Sequence, residues 1–236
     1  MGADIAIQRI FCYNSKVDQC AYRSGWGGGT RMGAISEGLR TWLLGTLHLL
    51  PGLVLGFVVH EACHALAAVK LGDPTPAREG RLTLDPTAHI DLMGLITYLL
   101  LGWGYARPVR ITAGNIRYGK WGVALVALAG PLSNLVLGAA FYALWRFAPQ
   151  GLWSGFLLSG CYTNLTLCVL NLVPVAPLDG FTVLKLFLPL KAMKFVFWMQ
   201  RYGIYVLLAL SIMNILDLYL SVAQTALFVL LGALMG

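Results

Sequence analysis

The chain has 236 residues, of which 58% are hydrophobic and only 11% are charged, and its mean hydropathy is +0.72. Soluble globular domains carry about 25% charged residues, so the composition excludes that class and indicates an integral membrane protein. The formal net charge of +7 fits basic loops at a cytoplasmic membrane surface. No basic and aromatic pattern indicates a nucleic-acid partner.

The first 35 residues are polar and rich in glycine, and they lack the basic start and apolar core of a cleavable signal. We predict a flexible polar tail at 1–35 and a membrane-embedded domain at 36–236. Cys12 and Cys20 in the tail could pair in an oxidising compartment, and the sequence leaves this open. Burial as small apolar side chains is the simpler expectation for Cys63, Cys161 and Cys168.

The first apolar stretch is uncharged from 41 to 59, which is long enough to lie in lipid. It leads directly into the sequence HEACH at 60–64. We predict one helix from about Ser36 to Lys70, bent where Pro51 is followed by glycine.

HEACH matches the HExxH pattern of zinc metalloproteases. Residues four apart share a helix face, so His60 and His64 can present ring nitrogens to one metal ion, with zinc as the default. Glu61 could accept a proton from a water molecule whose pKa the ion lowers. Interhelical hydrogen bonds between histidines are the alternative. Because ionisable groups in lipid are costly without a partner or a task, the metal site is favoured.

A polar loop is predicted after this helix. Within it, His89 lies near Asp85 and Asp91 and could mimic a second metal cluster. The spacing suits no standard zinc pattern, so we predict a hydrogen-bonded interfacial loop instead.

Further helices are predicted at about 120–146 and 152–173, with one or two more after Arg201. The basic stretch 185–201 is predicted to be a loop, and Asp217 marks a possible turn.

Asp179 ends the long uncharged run that begins at Phe147. Pro174 and Pro177 would break the helix, and Gly180 permits a tight backbone, so the carboxylate can be presented from an unwound end. A solvated surface aspartate is the alternative. Since catalytic zinc usually has three protein ligands, the presence of HEACH favours Asp179 as the third.

The path of residues 92–106 decides where Asp179 emerges relative to the histidines. If this run crosses the membrane, most basic residues share one side, which the positive-inside rule favours. A full crossing would, however, separate Asp179 from HEACH. The run is short and contains several glycines, which suits a buried re-entrant segment. We therefore predict re-entry near 90–106.

Three motifs carry a resemblance to a known family. HEACH at 60–64, AGPLSN at 129–134 and NLVPVAPLDG at 171–180 resemble, in this order, the core motifs of the site-2 protease family of intramembrane zinc metalloproteases. GDPTPAREGRLTLDPTAHID at 72–91 further resembles compact members without a PDZ domain.

The resemblance implies a role for each motif. Glu61 would be the general base, and Asn134 would assist the substrate backbone or the oxyanion, although it could simply cap exposed backbone. Asn171 would be a motif position of less defined role and a second candidate for substrate contact. One zinc ion would be bound by His60, His64 and Asp179.

We therefore predict an all-α polytopic membrane protein with about four to six transmembrane helices and a re-entrant segment. It would hydrolyse a peptide bond within or near the transmembrane segment of a single-span membrane-protein substrate. Its partners would be that substrate and the lipid bilayer, and its location a prokaryotic cell membrane, with the active site toward the cytoplasmic half. Two alternatives stay open: a zinc transporter or sensor that does not need Glu61, and an inactive scaffold that binds substrate without turnover.

Overall fold

The structure is a computed structural model that describes residues 31–101, 105–149 and 151–235. The chain divides into two units, 1–47 and 48–236, and the functional residues all lie in the second. Residues 1–30, with Cys12 and Cys20, lie outside the described residues, so the predicted flexible tail stays a prediction. Residues 31–35 already belong to the first helix.

Every regular element in the described ranges is a helix. The α-helices are α1 (Arg31–Lys70), α2 (Thr75–Arg78), α3 (Pro86–His89), α4 (Leu92–Leu101), α5 (Gly119–Phe147), α6 (Leu152–Asn171), α7 (Asp179–Phe187), α8 (Met193–Ile212) and α9 (Ile215–Met235). Two short 3₁₀ helices occupy Ala113–Asn115 and Leu190–Ala192.

Within the part of the chain that the structure describes, four helical stretches are long and apolar enough to cross a membrane: His48–Lys70, Gly119–Phe147, Leu190–Ile212 and Ile215–Met235. In the last two, only 22% and 17% of the most apolar window is buried inside the protein. Soluble monomers rarely expose apolar surface of this extent, whereas spans that face lipid do. The prediction of an all-α polytopic membrane protein is confirmed.

Helix α6 lies at the centre of the second unit, in contact with α5 and α9. Cys161, Asn164 and Leu165 on this helix are fully buried. Its backbone also approaches α1 closely, because a Cβ added to Gly52 would lie 2.6 Å from the Cα of Gly160. Small residues at such a crossing allow two membrane helices to pack backbone to backbone.

The re-entrant segment near 90–106 stays a prediction, and two features of the structure fit it. Helix α4 has ten residues and is therefore about 15 Å long, half of the roughly 30 Å of a bilayer core. The two ends of the segment meet, since the backbone N–H of Arg107 donates to the carbonyl of His89 at 2.7 Å. The chain at Arg107 therefore lies next to the residues that precede the segment, as a re-entrant path requires.

The loop before this segment is held by local hydrogen bonds, as predicted. His89 Nε2 lies 2.9 Å from the carbonyl oxygen of Thr83. Asp85 accepts a bond of 2.9 Å from the backbone N–H of Thr87 and thereby caps α3. Asp91 accepts from the N–H of Gly94 at 3.0 Å. Each carboxylate serves a turn or a helix start.

Two predictions in the last third of the chain are wrong. The stretch 185–201 is not a loop, because α7 extends to Phe187 and α8 begins at Met193. Its basic residues Lys194 and Arg201 occupy exposed positions of α8, where flexible stems can carry the charge away from apolar surface. The turn between α8 and α9 lies at Asn214, whose φ is 58°, and Asp217 falls instead in the first turn of α9.

After α4, residues 105–117 run back along the end of α1, and we call them the returning segment. Its backbone N–H groups donate to three acceptors on or just after α1. Val109 donates to Glu61 Oε2 at 3.1 Å, Thr112 to Asp73 Oδ2 at 2.6 Å and Arg117 to the carbonyl of Leu71 at 2.8 Å. These bonds hold the returning segment beside HEACH.

Asp73 is the main anchor of this segment. Its fully buried carboxylate accepts bonds from the hydroxyl and N–H of Thr75, the N–H of Thr112 and the side-chain amide of Asn115. Burial opposes ionisation of the carboxyl, but these hydrogen bonds outweigh it and hold the pKa of Asp73 below its usual value.

We predict that Asp73→Asn lowers the thermal stability of the detergent-solubilised protein at pH 7. The new amide group would face the N–H of Thr112, and a buried donor without an acceptor costs about 1–3 kcal/mol. In the wild type, the depressed folded-state pKa gives full stabilisation above about pH 5, and it is lost as the pH falls below the unfolded-state value of about 3.9. Unfolding curves between pH 7 and pH 3 measure both effects.

Asp85→Asn is the matched control. This residue caps α3 from an exposed position, and asparagine caps helices as well as aspartate does. The control should unfold like the wild type at pH 7. Equal losses in the two variants would contradict the anchoring role of Asp73.

Candidate metal centre

Helix α1 carries the HEACH residues into the interior of the protein. His60, Glu61 and His64 are 5%, 7% and 5% exposed. Both histidines lie on one face, and their Nε2 atoms are 3.0 Å apart. The predicted helical presentation of the two imidazoles is therefore found in the structure.

Asp179 meets the histidines from another part of the chain. Helix α6 ends at Asn171, residues 172–178 form turns, and Asp179 is the first residue of α7. A Cβ on Gly180 would lie 2.3 Å from the carbonyl oxygen of Leu172, so only glycine fits this turn. Asp179 Oδ2 lies 3.1 Å from His60 Nε2 and 3.2 Å from His64 Nε2.

The second nitrogen of each histidine has its own partner. His64 Nδ1 lies 2.7 Å from the carbonyl oxygen of Val126, which can only accept, so Nδ1 carries the proton. His60 Nδ1 lies 2.6 Å from Asn134 Oδ1. Metal-binding histidines usually donate their second N–H in this way, which leaves both Nε2 atoms available as ligands.

The three donor atoms fit a zinc ion. Tetrahedral zinc with bonds of about 2.0–2.2 Å places its ligand atoms about 3.3 Å apart, close to the three observed distances. Space for an ion also depends on Gly130, because a Cβ there would lie 2.3 Å from His64 Nε2 and 2.7 Å from His60 Nε2. Among the described residues, His60, His64 and Asp179 are the metal-ligand side chains that cluster in this way.

Comparison with known proteins agrees with this geometry. The chain is 33% identical over 175 residues to a Bacillus subtilis protein named "Putative zinc metalloprotease YwhC", and the match covers 70% of this chain and 80% of that protein. The chain belongs to the site-2 protease family. The resemblance of the three motifs to that family is thereby confirmed.

Other relatives carry names of the same form. Rip2 of Mycobacterium tuberculosis is 32% identical over 150 residues, with 58% of this chain and 56% of Rip2 covered. MJ0611 of Methanocaldococcus jannaschii is 30% identical over 131 residues, with 55% of this chain and 65% of that protein covered. No family model matches the chain, and no solved structure matches it significantly.

Glu61 and Asn134, to which the family resemblance assigns roles outside metal binding, have different surroundings. Glu61 lies beside His60, and one of its carboxylate oxygens is held by the N–H of Val109. Asn134 is fully buried, and its amide bonds to His60, Gly56 and Asn164 instead of facing an open surface.

Asn171 ends α6, and its amide donates to the carbonyl of Leu167 in the same helix at 3.0 Å. A role in substrate contact stays a prediction for Asn134 and Asn171. Cys63 is half-buried and is not part of the three-residue cluster, in line with its predicted direction away from the metal face.

Sequence reasoning missed the importance of Gly130. In the sequence, Gly130 stands directly before Pro131 in the AGPLSN motif, and a glycine before a proline suggests a turn or a helix break. In the structure it lies inside α5, facing the two imidazoles. A glycine in the interior of a membrane helix signals close approach of another group, but the sequence does not tell which group that is.

We predict that Gly130→Ala abolishes metal binding by the folded protein. The added methyl group would lie less than 3 Å from both Nε2 atoms, so the imidazoles could no longer converge. Zinc content, measured by elemental analysis of the purified protein, should fall from about one ion per chain to near zero.

Gly138→Ala is the control on the same helix. The nearest atom to its Cβ would be a flexible methyl group of Leu165 at 3.1 Å, which can move. This variant should keep its zinc. Wild-type zinc content in Gly130→Ala would refute the assigned metal position.

Proposed function

We propose that this protein is an intramembrane zinc metalloprotease that hydrolyses a peptide bond within or near the transmembrane segment of a single-span membrane protein. The observation that carries the proposal is the convergence of His60, His64 and Asp179 beside the buried carboxylate of Glu61. This constellation lies within apolar helices of membrane-spanning length, in a chain whose relatives are named as zinc metalloproteases.

His60, His64 and Asp179 would hold the zinc ion, and three protein ligands leave one position for water or substrate. Bound zinc would lower the pKa of a water molecule and polarise the carbonyl of the scissile bond. The ligands are rigidly placed because each imidazole is fixed by a hydrogen bond at Nδ1.

Glu61 would act as the general base and then as the general acid. Its carboxylate would take a proton from the attacking water and deliver it to the leaving amine. The bond from the N–H of Val109 to Oε2 orients the carboxylate. Because this donor is a backbone group, it sets the position of Glu61 without adding a competing acid or base.

Substrate must reach the site as an extended chain, since the carbonyls of an intact helix are occupied by backbone hydrogen bonds. Among the three proposed ligands, Asp179 has the most exposed side chain, at 21%, against 7% for each histidine. The α7 side of the site is therefore where we place entry of water and substrate. Movement of the least buried spans, α8 and α9, would widen this approach.

We place the site toward the cytoplasmic half of a prokaryotic cell membrane. His64 lies six residues before the end of α1 at Lys70, or about 9 Å along the helix. The basic stretch that follows belongs on the cytoplasmic side by the positive-inside rule. The relatives that match the chain come from bacteria and an archaeon.

We predict that Glu61→Gln keeps bound zinc but loses cleavage of a reconstituted single-span substrate by about 100-fold to 10,000-fold, the usual contribution of a general base. His60→Ala should instead lose both zinc and cleavage. Zinc is measured by elemental analysis, and cleavage by the appearance of the shortened substrate in proteoliposomes.

The same variants separate the competing functions. Cleavage that persists in Glu61→Gln would show that the assigned base is wrong. Zinc flux into proteoliposomes that needs His60 but not Glu61 would identify a transporter. A wild-type protein that purifies without zinc and does not take it up would be an inactive scaffold.

A further inference from the structure

Asn164 is a buried polar residue that the proposed reaction does not use. It lies in the middle of α6 and is fully buried. Its side-chain amide donates to the carbonyls of Gly160 at 2.8 Å and Gly52 at 3.2 Å, and its Oδ1 accepts from Asn134 Nδ2 at 3.0 Å. A buried amide is costly unless paired, so full pairing in an apolar bundle indicates a specific task.

Backbone carbonyls fix the direction of this amide. Because the carbonyls of Gly52 and Gly160 can only accept, the NH₂ group of Asn164 must face them. Its oxygen must then face Asn134. The orientation of Asn164 therefore follows from the backbone of two neighbouring helices.

Asn134, oriented by Asn164, in turn orients His60 at the metal centre. Its NH₂ group donates to Asn164 Oδ1 and to the carbonyl of Gly56 at 3.1 Å, so its oxygen must face His60 Nδ1, 2.6 Å away. Nδ1 then carries the proton, and Nε2 faces the position between the ligands. Reversal of the Asn134 amide would set its oxygen against two other acceptors, and reversal of the Asn164 amide would set its NH₂ group against that of Asn134.

We propose that Asn134 and Asn164 form an amide relay that fixes the tautomer and ring orientation of His60, and that Asn164 is a positioning residue for this ligand. The inference rests on the zinc site proposed above. His64 needs no such relay, because the carbonyl of Val126 contacts its Nδ1 directly. The relay thus orients the His60 ring, as the backbone carbonyl of Val126 orients the His64 ring.

The helix crossing supplies the room that the relay needs. A Cβ on Gly56 would lie 2.8 Å from Asn164 Oδ1, and a Cβ on Gly52 would strike the backbone of Gly160. Glycine at these positions lets α1 approach α6 closely enough for Asn164 to reach carbonyls on both helices. The hydrogen bonds of the relay therefore depend on the close crossing of α1 and α6.

The test measures zinc affinity in Asn164→Leu, a substitution of similar size that removes both relay atoms. Loss of a group that orients a metal ligand typically weakens binding by about 10-fold to 100-fold. We expect a loss of this size in competition with a chelator, together with an altered visible spectrum of the Co²⁺-loaded protein. Asn164→Ala removes the same atoms without added bulk and is used if the leucine variant does not fold.

Thr163→Val is the matched control, since Thr163 is the adjacent residue, is 2% exposed, and its hydroxyl is outside the relay. It should bind zinc and give a Co²⁺ spectrum like the wild type. Because Asn164 acts through Asn134, adding Asn164→Leu to Asn134→Leu should cause no further loss of affinity.

Wild-type affinity and spectrum in both Asn164 variants would overturn the relay while leaving the proposed zinc site intact. Losses that multiply in the double variant would also overturn it, since they would show that Asn164 acts by another route. A wild-type protein that binds neither zinc nor Co²⁺ would overturn the proposed function together with the relay.

Discussion

The structure depends on the meeting of three donor atoms inside an apolar bundle. His60 Nε2, His64 Nε2 and Asp179 Oδ2 lie within 3.2 Å of one another, although Asp179 is separated from the histidines by more than a hundred residues. The chain must therefore bring the start of α7 back to the depth of HEACH. The return of the chain from α4 to His89, the close glycine contacts and the tight turn at Gly180 all contribute to this convergence.

A second constraint follows, because polar groups in an apolar interior need partners. In this protein the partners are largely backbone carbonyls and amides, which cannot change their protonation state. Val126 holds His64, the glycine carbonyls of α1 and α6 hold the two asparagines, and Val109 holds Glu61. Helix α6 can carry its polar residues because α5 and α9 pack against it and shield it from lipid.

The sequence could predict those features of the site that depend on a single helix or a single turn. The spacing of His60 and His64 fixes their common face, and the prolines before Asp179 end α6, so both features were predictable. Gly130 and Asn164 were not, because their importance lies in contacts with residues that are 30 to 112 positions away in the chain. The prediction of a loop at 185–201 is wrong for another reason. Its basic residues suggest a loop at the membrane surface, whereas exposed positions on a long helix can also hold basic side chains.

Two parts of the fold hold the base and the ligands separately. The two proposed histidine ligands are held by contacts within the bundle, through Val126 and the asparagine pair. Glu61 adjoins His60 on α1, but it is oriented by the returning segment. Asp73, which lies beyond the end of α1, anchors that segment. Val109, whose amide holds Glu61, and Thr112, whose amide holds Asp73, are three positions apart, so a shift of this extended segment moves both bonds together. A disturbance there would disorient the proposed base while the proposed metal ligands stay in place.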